Sequence, residues 1–167
     1  PDKVKALRAE FVRWFAEVTK GVKYAPAPIP VGHTGEDTVE LQGSWATLKG
    51  EKTEYVFEAY DWDTIEGWSQ PGDAAEWQLE FARGGRYEIS IAYACRAADA
   101  GGKLKLAIGR QALEFCPDTT PSGNVFRRAT LGNIYLRSGP AVLRAEVLDA
   151  PGKELMKLNR IWLKRLP

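Results

Sequence analysis

The feature that most constrains the fold of this chain is a change in hydrophobic period near residue 38. Before that point, apolar residues recur three and four positions apart, as in Val4, Leu7, Phe11 and Phe15. This spacing places them on one face of an amphipathic helix. After it, apolar and polar residues alternate in short runs, and turn residues recur about every eight to twelve positions. The pattern predicts one helix followed by antiparallel β-structure.

The helical segment is expected to begin behind Asp2, a suitable N-cap, and to end at Gly21, where a left-handed residue stops the last turn. Residues 24–30 read Y-A-P-A-P-I-P. Prolines fix φ and hold the preceding residue extended, so this segment is predicted to be a stiff strap. We assign residues 1–37 to a helix and Pro-rich linker and residues 38–167 to a β module.

The β module is predicted to be an antiparallel sandwich of eight or more strands. The segment around residue 90 alternates cleanly, with Tyr87, Ile89, Ile91 and Tyr93 on one face. Glycine and proline turns separate the runs. The strands are expected near residues 39–42, 45–48, 54–58, 76–81, 86–94, 103–108, 112–116, 125–131, 134–136, 141–148 and 155–163. Such an arrangement is typical of an all-β sandwich.

Composition excludes several classes of function. Lys+Arg total 23 against 22 for Asp+Glu, so the net charge of +1 creates no field that attracts nucleic acid or anionic lipid. No apolar run approaches the roughly 18 residues of a membrane span. His33, the only histidine, lies in a polar V-G-H-T-G loop, which argues against catalytic triads and zinc sites. Nucleotide-binding and nucleophile-elbow motifs are missing too, so no enzyme activity, metal or cofactor is expected.

Two cysteines, Cys95 and Cys116, are expected to be buried free thiols. If the strands near 86–94, 103–108 and 112–116 are neighbours in that order, the cysteines flank the middle strand at roughly 10 Å. A disulfide needs Cα atoms within about 7 Å.

Aromatic and acidic residues are most concentrated between residues 60 and 77, where Y-D-W-D-T-I-E-G-W is followed by further residues of both kinds. Indole faces stack on the apolar faces of sugar rings, and carboxylates accept hydrogen bonds from sugar hydroxyls. An arginine can clamp an anionic group. The candidate carbohydrate-binding residues are therefore Tyr60, Trp62, Asp63, Trp68, Asp73 and Arg96.

Other interpretations of this segment remain open. Trp77 alternates with Leu79 and Phe81 and is expected in the core. Carboxylates from this segment could gather around calcium, or serve as a glycosidase acid and base if a cleft brought two within about 5 to 10 Å. The acidic residues concerned are Asp61, Asp63, Glu66 and Asp73.

Several motifs together resemble the C-terminal β-sandwich modules appended to bacterial sulfatases and α-L-fucosidases. They are D-T-I-E-G-W at 63–68, D-x-x-E-W at 73–77, G-R-Y-E-I-S-I-A-Y-A-C at 85–95, A-G at 100–101, L-G at 131–132 and L-M-K-L-N-R-I-W-L at 155–163. The resemblance covers about residues 39–163. It implies a galactose-binding-like jelly roll, akin to carbohydrate-binding modules of families 6 and 35.

The helical segment resembles the tail that follows the catalytic domain in arylsulfatase-like proteins, which favours a sulfatase. The catalytic signature of that family, C/S-x-P-x-R, is missing, since Cys116-Pro-Asp lacks its spacing and its arginine. In the related calcium-binding modules an Asp often stands at the position of Asn159. The resemblance implies a noncatalytic accessory domain of a periplasmic or secreted bacterial sulfatase.

Two functions are therefore expected to compete. In the first, the module binds a glycan, for which a sulfated sugar is one candidate, while attached to a sulfatase catalytic domain in the same polypeptide. In the second, it is a purely structural brace for that domain, with its loop aromatics buried. The exposure of Trp62 and Trp68 discriminates between these alternatives.

Overall fold

The computed structural model describes residues 2–22, 27–58 and 62–167. These residues form one α-helix and twelve β-strands arranged in two six-stranded sheets. The elements are α1 (Asp2–Val18), β1 (Ile29–Val31), β2 (Thr38–Gln42), β3 (Thr47–Lys49), β4 (Glu54–Val56), β5 (Thr64–Glu66), β6 (Ala74–Phe81), β7 (Gly85–Ala94), β8 (Lys103–Ile108), β9 (Gln111–Phe115), β10 (Arg127–Leu136), β11 (Gly139–Asp149) and β12 (Lys157–Arg165).

Sheet A has the strand order β1-β6-β11-β8-β9, with β3 paired to β6 beside β1. All its pairs are antiparallel except β1 with β6. Sheet B has the order β10-β7-β12-β5-β4, with β2 paired to β12 beside β5. The expected all-β antiparallel sandwich with an N-terminal helix is confirmed, and the architecture is that of a jelly roll.

The core fills the space between the two sheets because each long strand alternates inward apolar and outward polar residues. Tyr87, Ile89, Ile91 and Tyr93 of β7 are buried as the alternation predicts, and Trp77 of β6 is buried as well. The Phe81 ring meets the Tyr87 ring edge-on, with centroids 5.2 Å apart.

Two short strands were missed by the sequence pattern. β1 lies inside the segment assigned to the linker, yet Val31 is fully buried and its carbonyl accepts a hydrogen bond from Ala82 N at 2.9 Å. Sheet A therefore begins before residue 38. β5 lies inside the predicted loop. Each has only three residues, too few to display an alternation, and tertiary pairing alone reveals them.

Two other strand boundaries differ from the predicted ones because the backbone is irregular there. The predicted runs 125–131 and 134–136 merge into β10, which carries a bulge between Thr130 and Gly132 opposite β7. The predicted strand 45–48 divides into a 3-10 turn over Gly43–Trp45 and the short strand β3.

The expected placement of the cysteines was wrong. β7 belongs to sheet B whereas β8 and β9 belong to sheet A, so no shared middle strand separates the two thiols. Both are free, but only Cys95 is buried, and Cys116 is exposed. Burial raises the pKa of the Cys95 thiol, aided by the nearby Asp99 carboxylate, which keeps it protonated and unreactive.

The helix α1 has its predicted apolar stripe, but no residue of α1 is buried. Phe11 lies against Trp14 and Phe15, with ring centroids 5.8 and 5.9 Å apart. Gly21 has the expected positive φ of 81° beyond the last turn. No helix in the described ranges is long and apolar enough to cross a membrane.

Candidate functional site

The predicted site lies around β5 and the loops that flank it. Trp68 follows this strand and is fully buried, and its indole Nε1 donates a hydrogen bond to the carbonyl oxygen of Met156. The expectation that Trp68 offers a stacking face to a sugar is therefore wrong. Its ring belongs to the core, and a buried indole that finds a carbonyl acceptor is a stable structural element.

The glycine before Trp68 is required by the backbone. Gly67 has a φ of 74°, and a Cβ at this position would lie 2.0 Å from the carbonyl oxygen of Lys52. Its amide donates to Glu154 Oε2 at 3.0 Å. Only glycine fits here, because both the left-handed conformation and the close approach exclude a side chain.

Asp73 also has an internal role. It is buried, and its Oδ2 accepts hydrogen bonds from the amides of Ser69 and Gln70 at 2.8 and 3.1 Å. This carboxylate stabilises the turn that leads into β6. The expectation of an exposed acceptor for sugar hydroxyls at this position is corrected accordingly.

Arg96 lies at the end of β7 and binds two carboxylates. Its Nε lies 2.6 Å from Asp99 Oδ2, and its Nη2 lies 3.3 Å from Glu154 Oε1. The hydrogen bond to Asp99 raises the pKa of the guanidinium. Because both partners are anionic, the charge that was expected to attract an anionic ligand is already neutralised within the protein.

Trp62 and Asp63 remain accessible before β5. Trp62 is 56% exposed. The two carboxylate oxygens of Asp63 accept hydrogen bonds from Tyr55 Oη at 2.6 Å and from the Glu58 amide at 3.0 Å. The Asn159 side chain holds the Asp63 carbonyl at 2.9 Å. These bonds fix the carboxylate beside an exposed indole.

Tyr55 is the group that orients this carboxylate. Burial raises the pKa of the Tyr55 hydroxyl, and the hydrogen bond to Asp63 raises it further. The tyrosine therefore stays protonated at neutral pH and keeps donating to Asp63.

Phe57 is a further exposed aromatic residue that the sequence pattern did not single out. It follows the last paired residue of β4 and is 73% exposed. The pattern placed residue 57 inside a strand, whereas β4 ends at Val56. An aromatic side chain directly after a strand end is the signal that could have identified it. Phe57 and Trp62 together form what we call the aromatic pair.

The site therefore divides into two parts. Asp63 and Gly67 are four residues apart along an extended segment, which separates them by roughly 13 Å. Glu154 brings Arg96 close to the residue before Trp68, because its two carboxylate oxygens accept from the Gly67 amide and from Arg96 Nη2. Trp62 lies at the opposite end of β5. Tyr60 and Asp61 lie outside the described residues.

The part of the chain that is described contains no group of three or more histidine, cysteine or acidic side chains placed to hold a metal ion. Among the acidic residues considered for calcium, Glu66 pairs with Lys157 at 2.8 Å. Asp63 binds Tyr55, and Asp73 caps a turn. Their oxygens point to separate internal partners.

The jelly-roll sandwich defined by these two sheets occurs in carbohydrate-binding modules of known structure. A family 6 module at the C-terminus of LamC, a marine laminarinase from Zobellia galactanivorans, is 14% identical, with a TM-score of 0.61 over 77% of this chain and 99% of that one. A family 35 module from Clostridium thermocellum is 15% identical, with a TM-score of 0.56 over 78% of this chain and 100% of that one.

A third similar structure is the GH26-CBM35 β-(1,4)-mannanase of Podospora anserina, which is 18% identical with a TM-score of 0.58. The match covers 79% of this chain but only 28% of the mannanase, so the chain spans about a quarter of that enzyme's length. No family model matches the sequence, and no curated protein matches it. At these identities the likeness establishes the fold.

Proposed function

We propose that this chain is a noncatalytic carbohydrate-binding module and that the aromatic pair contacts the ligand. The observation that carries the proposal is the exposure of two aromatic side chains, 73% for Phe57 and 56% for Trp62, beside the fixed carboxylate of Asp63. Exposed aromatic faces next to an oriented acceptor suit a sugar ring, which has an apolar face and a hydroxyl edge.

The proposal is supported by the class of protein in which the fold is found, since similar structures include modules of families 6 and 35. A shallow, exposed site of this kind is expected to bind weakly. We expect dissociation constants between about a millimolar and tens of micromolar, or roughly -4 to -7 kcal/mol.

Calorimetric titration with oligosaccharides of β-1,4-mannan, β-1,3-glucan and a sulfated galactan tests this function. At least one of them is expected to bind, and Trp62→Ala is expected to weaken that binding by about tenfold, since loss of an aromatic stacking contact costs about 1.4 kcal/mol. Phe57→Ala is expected to act in the same direction.

Trp45→Ala is the matched control, because Trp45 is 47% exposed but lines a separate cavity with Pro28, Pro30 and Gln78. It should leave the affinity unchanged. Equal losses in Trp62→Ala and Trp45→Ala, or no binding of any glycan by the wild-type protein, would reject the proposal.

On the sequence resemblance, we further propose that the parent protein is an exported sulfatase and that its ligand carries sulfate. The motifs at 63–68 and 73–77 and the helical tail support this assignment. The coding sequence upstream of residue 1 provides the test. A C/S-x-P-x-R motif there is expected, and a catalytic domain of another class would overturn the assignment.

A structural brace is the second candidate, and the exposed apolar face of α1 is the observation that favours it. Three aromatic side chains of this face are each about half exposed, namely Phe11, Trp14 and Phe15. Together they expose a large apolar surface to water, and such surfaces mark interaction sites. If α1 packs against a preceding domain, hydrogen exchange in the parent protein will show α1 protected. Protection without any glycan binding would favour the brace alone.

A further inference from the structure

A second cavity lies on the side of the sandwich away from the aromatic pair. It has a volume of about 530 Å³ and is bordered by Phe81, the last residue of β6. The aromatic pair flanks β4 and β5, whereas the cavity borders β10. In sheet B, β5 lies three strand spacings from β10, a lateral separation of roughly 14 Å. The cavity is therefore separate from the site described above. Its volume lies within the range of about 300–1,000 Å³ that small-molecule sites occupy.

The cavity forms where the edges of the two sheets meet. Buried side chains of Phe81, Ile108 and Leu136 contribute an apolar floor. The side-chain amide of Gln111 bridges β9 to β10, because it donates to the Tyr135 carbonyl and accepts from the Tyr135 amide at 3.1 Å. This pair of bonds links the two sheet edges and shapes one wall.

Two arginines border the opening from opposite sheets. Arg110 lies in the turn between β8 and β9 of sheet A, and Arg137 lies in the turn between β10 of sheet B and β11. Both are exposed. Among the described residues neither has a hydrogen bond or ion pair, in contrast to Arg96, Arg144 and Arg160.

The lining of the cavity contains no acidic residue. The turns at this end of the sandwich carry Arg83, Arg110 and Arg137 against Glu36 and Asp37. The adjoining strand ends add Arg86, Arg165 and one acid, Glu80. Asp37 is bound to Arg83 at 2.9 Å. A cavity with an apolar floor, two unpaired guanidinium groups and no carboxylate complements an amphipathic anion.

We propose that this cavity binds an anionic sugar residue, with its carboxylate or sulfate between Arg110 and Arg137 and its ring over the apolar floor. The proposal rests on the proposed function, in that the ligand is a glycan, but it uses different residues. Guanidinium groups bind both carboxylate and sulfate through paired hydrogen bonds. The Ser138 hydroxyl and the Gln111 amide are polar groups in the lining that can bind sugar hydroxyls.

Titration with three probes tests this inference: tetragalacturonic acid, a sulfated galactan tetrasaccharide and the desulfated form of the same galactan. The two anionic probes distinguish carboxylate from sulfate. The double variant Arg110→Ala/Arg137→Ala is expected to weaken binding of at least one anionic probe by tenfold or more and to leave the affinity for the neutral probe unchanged. The loss should shrink as salt concentration rises.

Arg8→Ala/Arg13→Ala is the matched control, because it removes the same charge from exposed positions of α1. Arg110→Lys/Arg137→Lys keeps the charge but loses the planar fork, so intermediate binding is expected. Since all four arginines are exposed, the variants should melt at the wild-type temperature, and this is measured before titration.

The outcomes separate the two proposals. In one outcome, Trp62→Ala abolishes binding of the neutral probe, but the Arg110/Arg137 variant binds the anionic probes as tightly as the Arg8/Arg13 control does. This inference then fails and the proposed function stands. If none of these three probes binds the wild-type protein, this inference fails, whereas the proposed function fails only if the mannan and glucan oligosaccharides do not bind either. Equal displacement of the anionic sugars by a poly-glutamate peptide would identify an acidic protein partner instead and overturn the sugar assignment.

Discussion

At the scale of single residues, the motifs that carry the family resemblance turn out to be structural. Gly67 avoids the Lys52 carbonyl, Trp68 and Trp77 fill the core, and Asp73 caps a turn. Trp77 also donates to the Gln42 carbonyl at 2.8 Å. These four residues specify the sandwich, because their side chains and backbone are engaged inside the protein and offer no contact to a ligand.

Gly67→Ala is expected to destabilise the protein by at least about 2 kcal/mol more than Gly72→Ala. Both glycines have positive φ, 74° and 95°, which costs an alanine about 1–2 kcal/mol. Only at Gly67 would the new Cβ collide with backbone, whereas nothing lies within 4 Å of it at Gly72. Urea denaturation measures the difference, and equal midpoints for the two variants would contradict it.

Single aromatic residues show where sequence reasoning reached its limit. Trp62 and Trp68 lie six residues apart in the same predicted loop, yet Trp62 is exposed and Trp68 is fully buried. The difference arises because Trp68 follows Gly67, whose left-handed turn directs the chain inward toward Met156. A turn of this kind has no signature in hydrophobic period.

At the scale of elements, β6 and β11 are joined by an ion-pair network on the outer face of sheet A. Arg144 Nη1 lies 2.5 Å from Glu76 Oε1, and its Nη2 lies 3.0 Å from Glu146 Oε1. Lys49 of β3 contacts the other oxygen of Glu76 at 3.0 Å. Burial alone would raise the pKa of Glu76, but the bonds from Arg144 and Lys49 outweigh it and lower that pKa. The pKa of Glu146 is lowered chiefly by its bond to Arg144.

This network predicts a specific dependence of stability on pH. Because both carboxyl pKa values are lower in the folded state than their usual value of 4.5, the unfolded chain binds protons first as the solution is acidified. The stabilisation is present above about pH 4.5 and is lost as pH falls through the lowered folded values. Arg144→Met is expected to lower the free energy of unfolding at pH 7 by about 2 kcal/mol. It should also reduce the decrease in that free energy as the pH falls below about 4.5.

Urea denaturation between pH 3 and pH 7 provides the measurement. Arg127→Met is the control, because its pair with Asp118 is exposed on both sides and such pairs contribute about 0–1 kcal/mol. Parallel pH curves for wild type and Arg144→Met would show that the network does not contribute as described.

The longer strands were predictable because six or more consecutive residues can display a clear period of two. β7, β8 and β12 therefore agree with the expected segments to within two residues. β1 and β5 were not predicted, because each has only three residues, too few to show an alternation. In β1, Pro30 also argues against a strand. Pro30 is tolerated because β1 lies at the edge of sheet A, where its missing amide leaves no bond unmade.

At the scale of the whole molecule, the sandwich is complete without α1. No residue of α1 is buried, whereas Val31 of β1 is completely buried in the core between the sheets. The chain thus consists of a β-sandwich that starts at β1, preceded by a helix whose apolar face contacts none of that core.

Deleting residues 1–22 is therefore expected to leave the melting temperature within about 2 °C of the full chain. Deleting residues 1–31 should lower it by several degrees, because it removes Val31 from the core and leaves the edge of β6 unpaired, a loss of about 2 kcal/mol or more. Differential scanning calorimetry of both truncations checks this. A large loss in the shorter deletion would mean that α1 packs on the sandwich.

The amino-acid sequence by itself determined the class of this protein: a helix, a change of period and a run of alternating strands that can bury their apolar faces only in two layers. Those features are local, since they depend on residues within one helical turn or one strand. The tertiary structure decided which tryptophan is exposed to solvent and which carboxylates accept hydrogen bonds from within the protein. It also decided where two arginines lie unpaired beside a cavity. These properties depend on contacts between residues far apart in the chain, and no local pattern records such contacts.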